Sequence, residues 1–177
     1  YKIMNKVAHF GNAILSKHPI TSEETIFTNL EYQTDFDFDD HDYNIRNLQH
    51  AIIDTGGQKL HVLNHHGHHI HQHKKGDKET LRQMQQISDY IKQLDGPVIL
   101  TGDFNLAPDS ESLQILNKQL HNQSVIHKLE TTRTDLTFKK EVCDFIFTND
   151  AVDLSEFYVA EKVASDHQAL VALFSLR

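Results

Sequence analysis

The chain has 177 residues, enough for one self-sufficient domain that needs no disulfide staples. Seventeen Lys and Arg against 25 Asp and Glu leave a net charge of −8, which argues against a generally basic nucleic-acid-binding surface, though not against a local basic groove. Its 38% apolar and 24% charged residues exclude a membrane-spanning or disordered chain, and its single cysteine, Cys143, excludes an internal disulfide framework and fits a reducing compartment.

In chain order, Tyr1 to Val7 lacks the apolar stretch of a signal peptide. Ala13-Ile14-Leu15 reads as a short buried strand closed by His18-Pro19, and Thr25 to Tyr32 as a second strand. Asp35 to Asp42, with five aspartates in eight residues, reads as a solvated loop. Ala51 to Asp54 and Lys59 to Asn64 form a β-hairpin around Gly56-Gly57, which supply the positive φ that tight turns need. A histidine-rich loop follows. Asp77 then caps a helix over Lys78 to Leu94, with Leu81, Met84, Ile87, Ile91 and Leu94 on one buried face. Val98-Ile99-Leu100 reads as a strand buried on both faces, Ser110 to Leu120 as a shorter helix, Asp144 to Phe147 as a strand, and Ala169 to Phe174 as a core strand at the end. Interspersed helices and strands give an α/β or α+β class with at least part of the sheet antiparallel.

Polar residues gather at the ends of these strands, where a rigid element aims a side chain that the loop leaves accessible. Alternation over Leu60 to His66 puts Leu60, Val62, Asn64 and His66 on one face, and His61, Leu63 and His65 on the other. Asp103 and Asn105 follow Ile99-Leu100-Thr101-Gly102; a carboxylate and an amide two residues apart can serve a hard cation and a phosphate together. Asp144 lies inside an apolar strand, where a carboxylate needs a partner, and a histidine is a natural one. Asp166-His167 offers an oxygen ligand and a proton-transfer group just before the last strand. Each feature alone is ordinary: a turn residue, a surface pair, a carboxylate on backbone amides. Their order together marks a site.

With these residues in view, the sequence resembles the endonuclease/exonuclease/phosphatase superfamily of metal-dependent phosphoesterases. The resemblance rests on Gly11 to Ser16, Asn64-His65-His66, Arg82 to Ile91, Gly102-Asp103-Phe104-Asn105, Cys143 to Phe147 and Ser165-Asp166-His167. It implies a four-layer sandwich of two mainly antiparallel sheets flanked by helices. It further implies that Asp103 and Asn105 position water and phosphate, that Asp103, Asn105, Asp166 and His167 form or adjoin a Mg²⁺ or Mn²⁺ site, that Asp144 orients His167 as general base or transition-state stabiliser, and that His66 bonds a phosphate oxygen. In that family the segment matching Gly11 to Ser16 follows earlier strands and a metal-binding Glu. The expectation is therefore a single domain over 1–177 lacking its first strands and helix, with self-association through the uncovered N-terminal side.

Histidine is in excess, 14 in all, with seven from His61 to His73. These admit two readings. One is a Zn²⁺, Ni²⁺ or Cu²⁺ site. The other is a polar loop around one catalytic histidine, His66, with His65 and His68 as rivals. The expected function is phosphodiester or phosphomonoester hydrolysis, as phosphodiesterase, phosphatase or nuclease. The alternative is a catalytically inactive fragment, or a metal- or partner-binding module with a His-rich loop. Lys74-Lys75, Lys139-Lys140 and Arg133 are small basic clusters, suited to a small molecule, a lipid head group or a short stretch of nucleic acid.

Overall fold

The computed structural model describes residues 2–3, 6–7, 11–33 and 45–177, so the aspartate-rich stretch Asp35 to Asp42 lies outside the described residues. In chain order the elements are β1 (Lys2–Ile3), β2 (Lys6–Val7), β3 (Ile20–Asn29), β4 (Arg46–Asp54), β5 (Lys59–His66), α1 (Lys78–Ile91), β6 (Val98–Asp103), α2 (Glu111–Asn117), β7 (His121–Asn122), α3 (Gln123–Ile126), β8 (Asp144–Thr148), β9 (Val152–Val159) and β10 (Leu170–Leu176). Six strands make one sheet in the order β3-β4-β5-β6-β8-β7; β9 and β10 pair antiparallel in a second sheet, and β1 with β2 in a third. Within the large sheet only the β5–β6 ladder is parallel, as a strand–helix–strand crossover through α1 requires.

The hairpin joining β4 to β5 is tied by Asp54, whose carboxylate accepts from the Gly56 and Gly57 amides at 2.9 and 3.0 Å. Helix α1 opens where the sequence predicts. Asp77 accepts from the Thr80 amide, and the Thr80 hydroxyl answers the Asp77 amide in a reciprocal cap. It ends at Ile91, three residues early, as the chain turns toward Gly96.

Alternation along the strands splits the large sheet into two faces. Leu63, Leu100, Phe145 and Phe147 point outward into a core closed by Met84 and Ile87 of α1 and by Leu113 and Leu116 of α2. Leu60, Ile99 and Ile146 point the other way and meet Val152, Phe157, Leu170 and Ala172 of the small sheet. The architecture is thus a mixed α/β sandwich of two sheets with helices outside. Between the sheets lies a cavity of about 690 Å³, bounded by residues that include Ile53, Val62, Ile146, Phe174 and Leu176.

Three strand expectations change here. Ala13-Ile14-Leu15 is irregular chain rather than a buried strand, and Leu15 is 95% exposed. Three apolar residues cannot form a strand without a ladder partner, and this segment is attached through side chains instead: Asn12 donates to Asn47 Oδ1 at 3.0 Å, and Asn64 to the Ala13 carbonyl at 3.3 Å. The last strand is only half a core strand, because Leu173 and Phe174 remain about 40% exposed on the open side. The second strand begins at Ile20 and stops at Asn29, where Leu30 turns to positive φ.

A polar chain crosses the opposite end of the sheet. Tyr90 donates its hydroxyl to Glu24 at 2.9 Å and meets His50 Nδ1 at 2.8 Å. His50 Nε2 meets His61 Nδ1 at 2.9 Å, and His61 Nε2 lies 3.1 Å from the Asp95 carbonyl.

Candidate functional site

The ladder registers bring three of the expected residues into one row. His66 at the end of β5 pairs with Asp103 at the end of β6, and Asp103 with Asp144 at the start of β8. All three share the face that looks toward the small sheet. Two glycines make this end of the sheet possible. A Cβ at Gly102, whose φ is +145°, would fall 1.8 Å from the His65 carbonyl oxygen, and one at Gly67 would fall 2.2 Å from that of Phe104.

His167 arrives from across the sandwich, just before β10. Backbone bonds hold its segment in place: Thr134 N to the Asp166 carbonyl at 3.0 Å, and Gln168 N to the Thr132 carbonyl at 2.9 Å. Its Nδ1 donates to Asp144, with both carboxylate oxygens at 2.9 Å, and Nε2 stands 3.8 Å from Asp103 Oδ2. Asp144 has the histidine partner that a buried strand carboxylate needs, and Thr132 adds a hydroxyl at 2.6 Å. His66 Nε2 approaches the same Asp103 oxygen from the other side, at 4.0 Å.

The two histidines are tuned in opposite directions. The Asp144 hydrogen bond raises the His167 pKa above the ordinary imidazole value. Burial, with Arg46 nearby, lowers that of His66. Environments that separate two titratable groups in this way suit one to carry a proton and the other to stay neutral and donate an N–H.

Asn105 leaves β6 at φ 55° and is 4% exposed. Its amide N–H donates to Asp103 Oδ1 at 2.8 Å, its Nδ2 to the Gly67 carbonyl at 3.3 Å, and its Oδ1 accepts from Lys74 Nζ at 2.6 Å. The Asp166 carboxylate is half-exposed, 3.6 Å from Arg133 and 4.0 Å from His167 Nε2. Among the described residues, one group of three or more His, Cys, Asp or Glu side chains has its ligand atoms within 4.8 Å of one another: Asp103, Cys143, Asp144 and His167. Asp166 stands outside it. Cys143 suits a hard cation poorly: burial pushes its thiol pKa up, and its sulfur accepts from Arg133 at 3.0 Å.

The loop histidines do not converge. His65 is fully buried on the other face, donating Nδ1 to the Asn47 carbonyl at 3.0 Å and packing edge-on against Phe104. His68 lies 3.9 Å from Asp77, and His69 packs edge-on against His71. Sequence reasoning passed over Thr132 entirely and treated Lys74 and Arg133 only as basic residues. Their place at the site depends on pairings about 30 residues distant in the chain, which leave no local signal.

The Endonuclease/Exonuclease/phosphatase family model matches residues 4–167. Similar solved structures include an endonuclease/exonuclease/phosphatase from Bacteroides vulgatus, 19% identical with a TM-score of 0.72, over 91% of this chain and 67% of that one. A mannosyl-6-phosphatase from Bacteroides thetaiotaomicron is 17% identical with a TM-score of 0.66, over 90% and 68%. D. rerio TDP2, complexed with a single-strand DNA product, is 21% identical with a TM-score of 0.65, over 88% and 68%. At these identities the likeness is one of fold, and this chain spans about two thirds of each. No curated protein matches.

Proposed function

The chain belongs to the endonuclease/exonuclease/phosphatase family, a family of phosphoesterases, and on that premise we propose that it hydrolyses a phosphoester with a divalent metal ion. The observation that carries this reading is the Asp144–His167 pair, whose Nε2, in contact with Arg133, faces Asp103 across 3.8 Å. The donor set fits Mg²⁺ or Mn²⁺ in one respect. Such ions take one or two carboxylates and complete their shell with water and phosphate oxygens, and Asp103 and Asp166 would supply those, with Asn105 and His167 adjoining. Bound there, the cation would polarise the phosphoryl oxygen and stabilise the leaving one.

The remaining roles belong to this chain's own side chains. His167 would take the proton of the attacking water at Nε2, or stabilise charge on the phosphoryl group, while Asp144 fixes its tautomer. Asp103 would orient that water. His66, kept neutral, would donate to a phosphate oxygen, and Asn105 would hold the turn that aims Asp103. The phosphoester itself is a small molecule, a lipid head group or a nucleic acid. Self-association through the open side beside Leu15 and Phe174 belongs to the same proposal, and sedimentation at several concentrations tests it.

The test is hydrolysis of bis(p-nitrophenyl) phosphate, p-nitrophenyl phosphate and plasmid DNA with Mg²⁺ and with EDTA. Silence on all three substrates, from this chain and from any longer form containing it, would leave the alternative: an inactive module that binds a partner or metal.

A further inference from the structure

Arg133 and Lys74 are cations set into the site with donors to spare. Arg133 is 4% exposed. Its Nη2 donates to the Cys143 sulfur at 3.0 Å, its Nη1 contacts His167 Nε2 and lies 3.6 Å from Asp166, and its Nε has no hydrogen-bond partner. A guanidinium carries five N–H donors. Here they meet a thiol, an imidazole and a carboxylate beyond hydrogen-bond reach. Buried charge is ordinarily paired closely with an opposite charge; here the ion pair with Asp166 is long and half-exposed, and Nε is left unserved. The nearest alternatives are engaged, since Asp144 already serves His167 and Thr132.

Lys74 comes from the histidine-rich loop and reaches Asn105. Its one hydrogen bond, to Asn105 Oδ1, is to a neutral group and leaves two of three donors. Asn105 links it to Asp103, whose Oδ1 accepts from the Asn105 backbone N–H at 2.8 Å, and Arg133 meets the same carboxylate's neighbour His167.

Resting on the phosphoesterase reading, we propose that Arg133 and Lys74 make this site selective for a terminal phosphate, so that its substrate is a phosphomonoester rather than a phosphodiester. A monoester is nearly a dianion at neutral pH and presents three non-bridging oxygens. A diester is a monoanion with two. Two fixed cations, together with His66 and a divalent metal, offer more charge and more donors than two oxygens can accept. Arg133 grips by its planar fork and Lys74 as a point charge, a pairing suited to a compact phosphate group.

Calorimetric titration of the chain with inorganic phosphate and with diethyl phosphate tests recognition without turnover. Phosphate should bind about tenfold or more tightly than the diester, the scale of one charge-assisted hydrogen bond. Arg133→Met and Lys74→Met should each lower phosphate affinity about tenfold and leave diethyl phosphate within about threefold. Arg133 is buried and its variant could unfold; half-buried Lys74 then supplies the same test, with circular dichroism confirming the fold. Equal affinities, no phosphate binding at millimolar concentration, or equal losses for both ligands would overturn the proposal. Rates on p-nitrophenyl phosphate and its bis ester separate the two levels. Phosphate selectivity without turnover of either ester sinks the hydrolase reading and keeps the recognition by Arg133 and Lys74; diester turnover without phosphate selectivity does the reverse.

Discussion

Two groups of histidines lie at opposite ends of the large sheet and differ in what they meet. At the end toward β10, His167 spends Nδ1 on Asp144 and turns Nε2 toward Asp103 and the cations. At the other end, His50 and His61 spend all four ring nitrogens inside the protein, on Tyr90, on each other and on the Asp95 carbonyl. Residue type does not separate the groups, but exposure does: His50 and His61 are buried, whereas His66 and His167 are partly open. What marks the first end is a ring nitrogen set between a carboxylate and an arginine, where the second end has a closed chain of hydrogen bonds.

The largest effects should fall on turnover. His167→Ala and Asp103→Asn should lower the rate by about 10²–10⁴-fold, the usual worth of a positioned acid–base group, with the fold retained by circular dichroism. His50→Ala should leave the rate within about threefold. Equal losses at both ends would erase the contrast.

His65 sits between the two groups, and burial lowers its pKa to about 3. The unfolded chain returns it to about 6.5. Between those values the unfolded state binds a proton that the folded state refuses, so stability should be complete above about pH 6.5 and fall as pH drops toward 3. Denaturant midpoints across that range check this, and His65→Leu should flatten the slope.

His167 and His50 should titrate on opposite sides of the ordinary imidazole value, the first raised by Asp144 and the second lowered by burial and by His61. The signs of their linkage are opposite. The Asp144–His167 pair stabilises the fold below the unfolded pKa and loses that contribution as pH rises through the raised folded value, whereas His50 opposes folding as pH falls. Imidazole proton shifts in an NMR titration read both, and a common midpoint would remove the distinction.

The smallest effect belongs to Tyr90→Phe. It should cost about 1 kcal/mol of stability with no change in rate. The chain from Glu24 to the Asp95 carbonyl has four contacts and needs four hydrogens, while Tyr90 and two neutral imidazoles bring three. With Glu24 ionised, one contact lacks its hydrogen unless the network takes up a proton, and buffer-dependent calorimetry of unfolding counts that proton.

Strands β5, β6 and β8 were legible because apolar residues alternate or run together in them beside polar residues at one end, and strand parity placed His66 on the face opposite His65. Strand β9 was not. Its inward residues Val152 and Phe157 are five apart, an odd spacing that strict alternation forbids, and a bulge opposite Leu173 and Phe174 reconciles them. Ala13 to Leu15 misled for the opposite reason, since it has strand composition and no partner. Arg133 was legible as a charge but not as part of the site, because its position is fixed by backbone pairing of the 132–134 segment with 166–168.

Asn105 shows how such a site constrains any attempt to strengthen the protein. Its φ of 55° lies where glycine sits most easily. Asn105→Gly would relax the turn. The same change removes the carboxamide that bridges Lys74 to the Gly67 carbonyl. Backbone ease and side-chain bonding thus oppose each other at one residue, and the two side-chain bonds outweigh the relief.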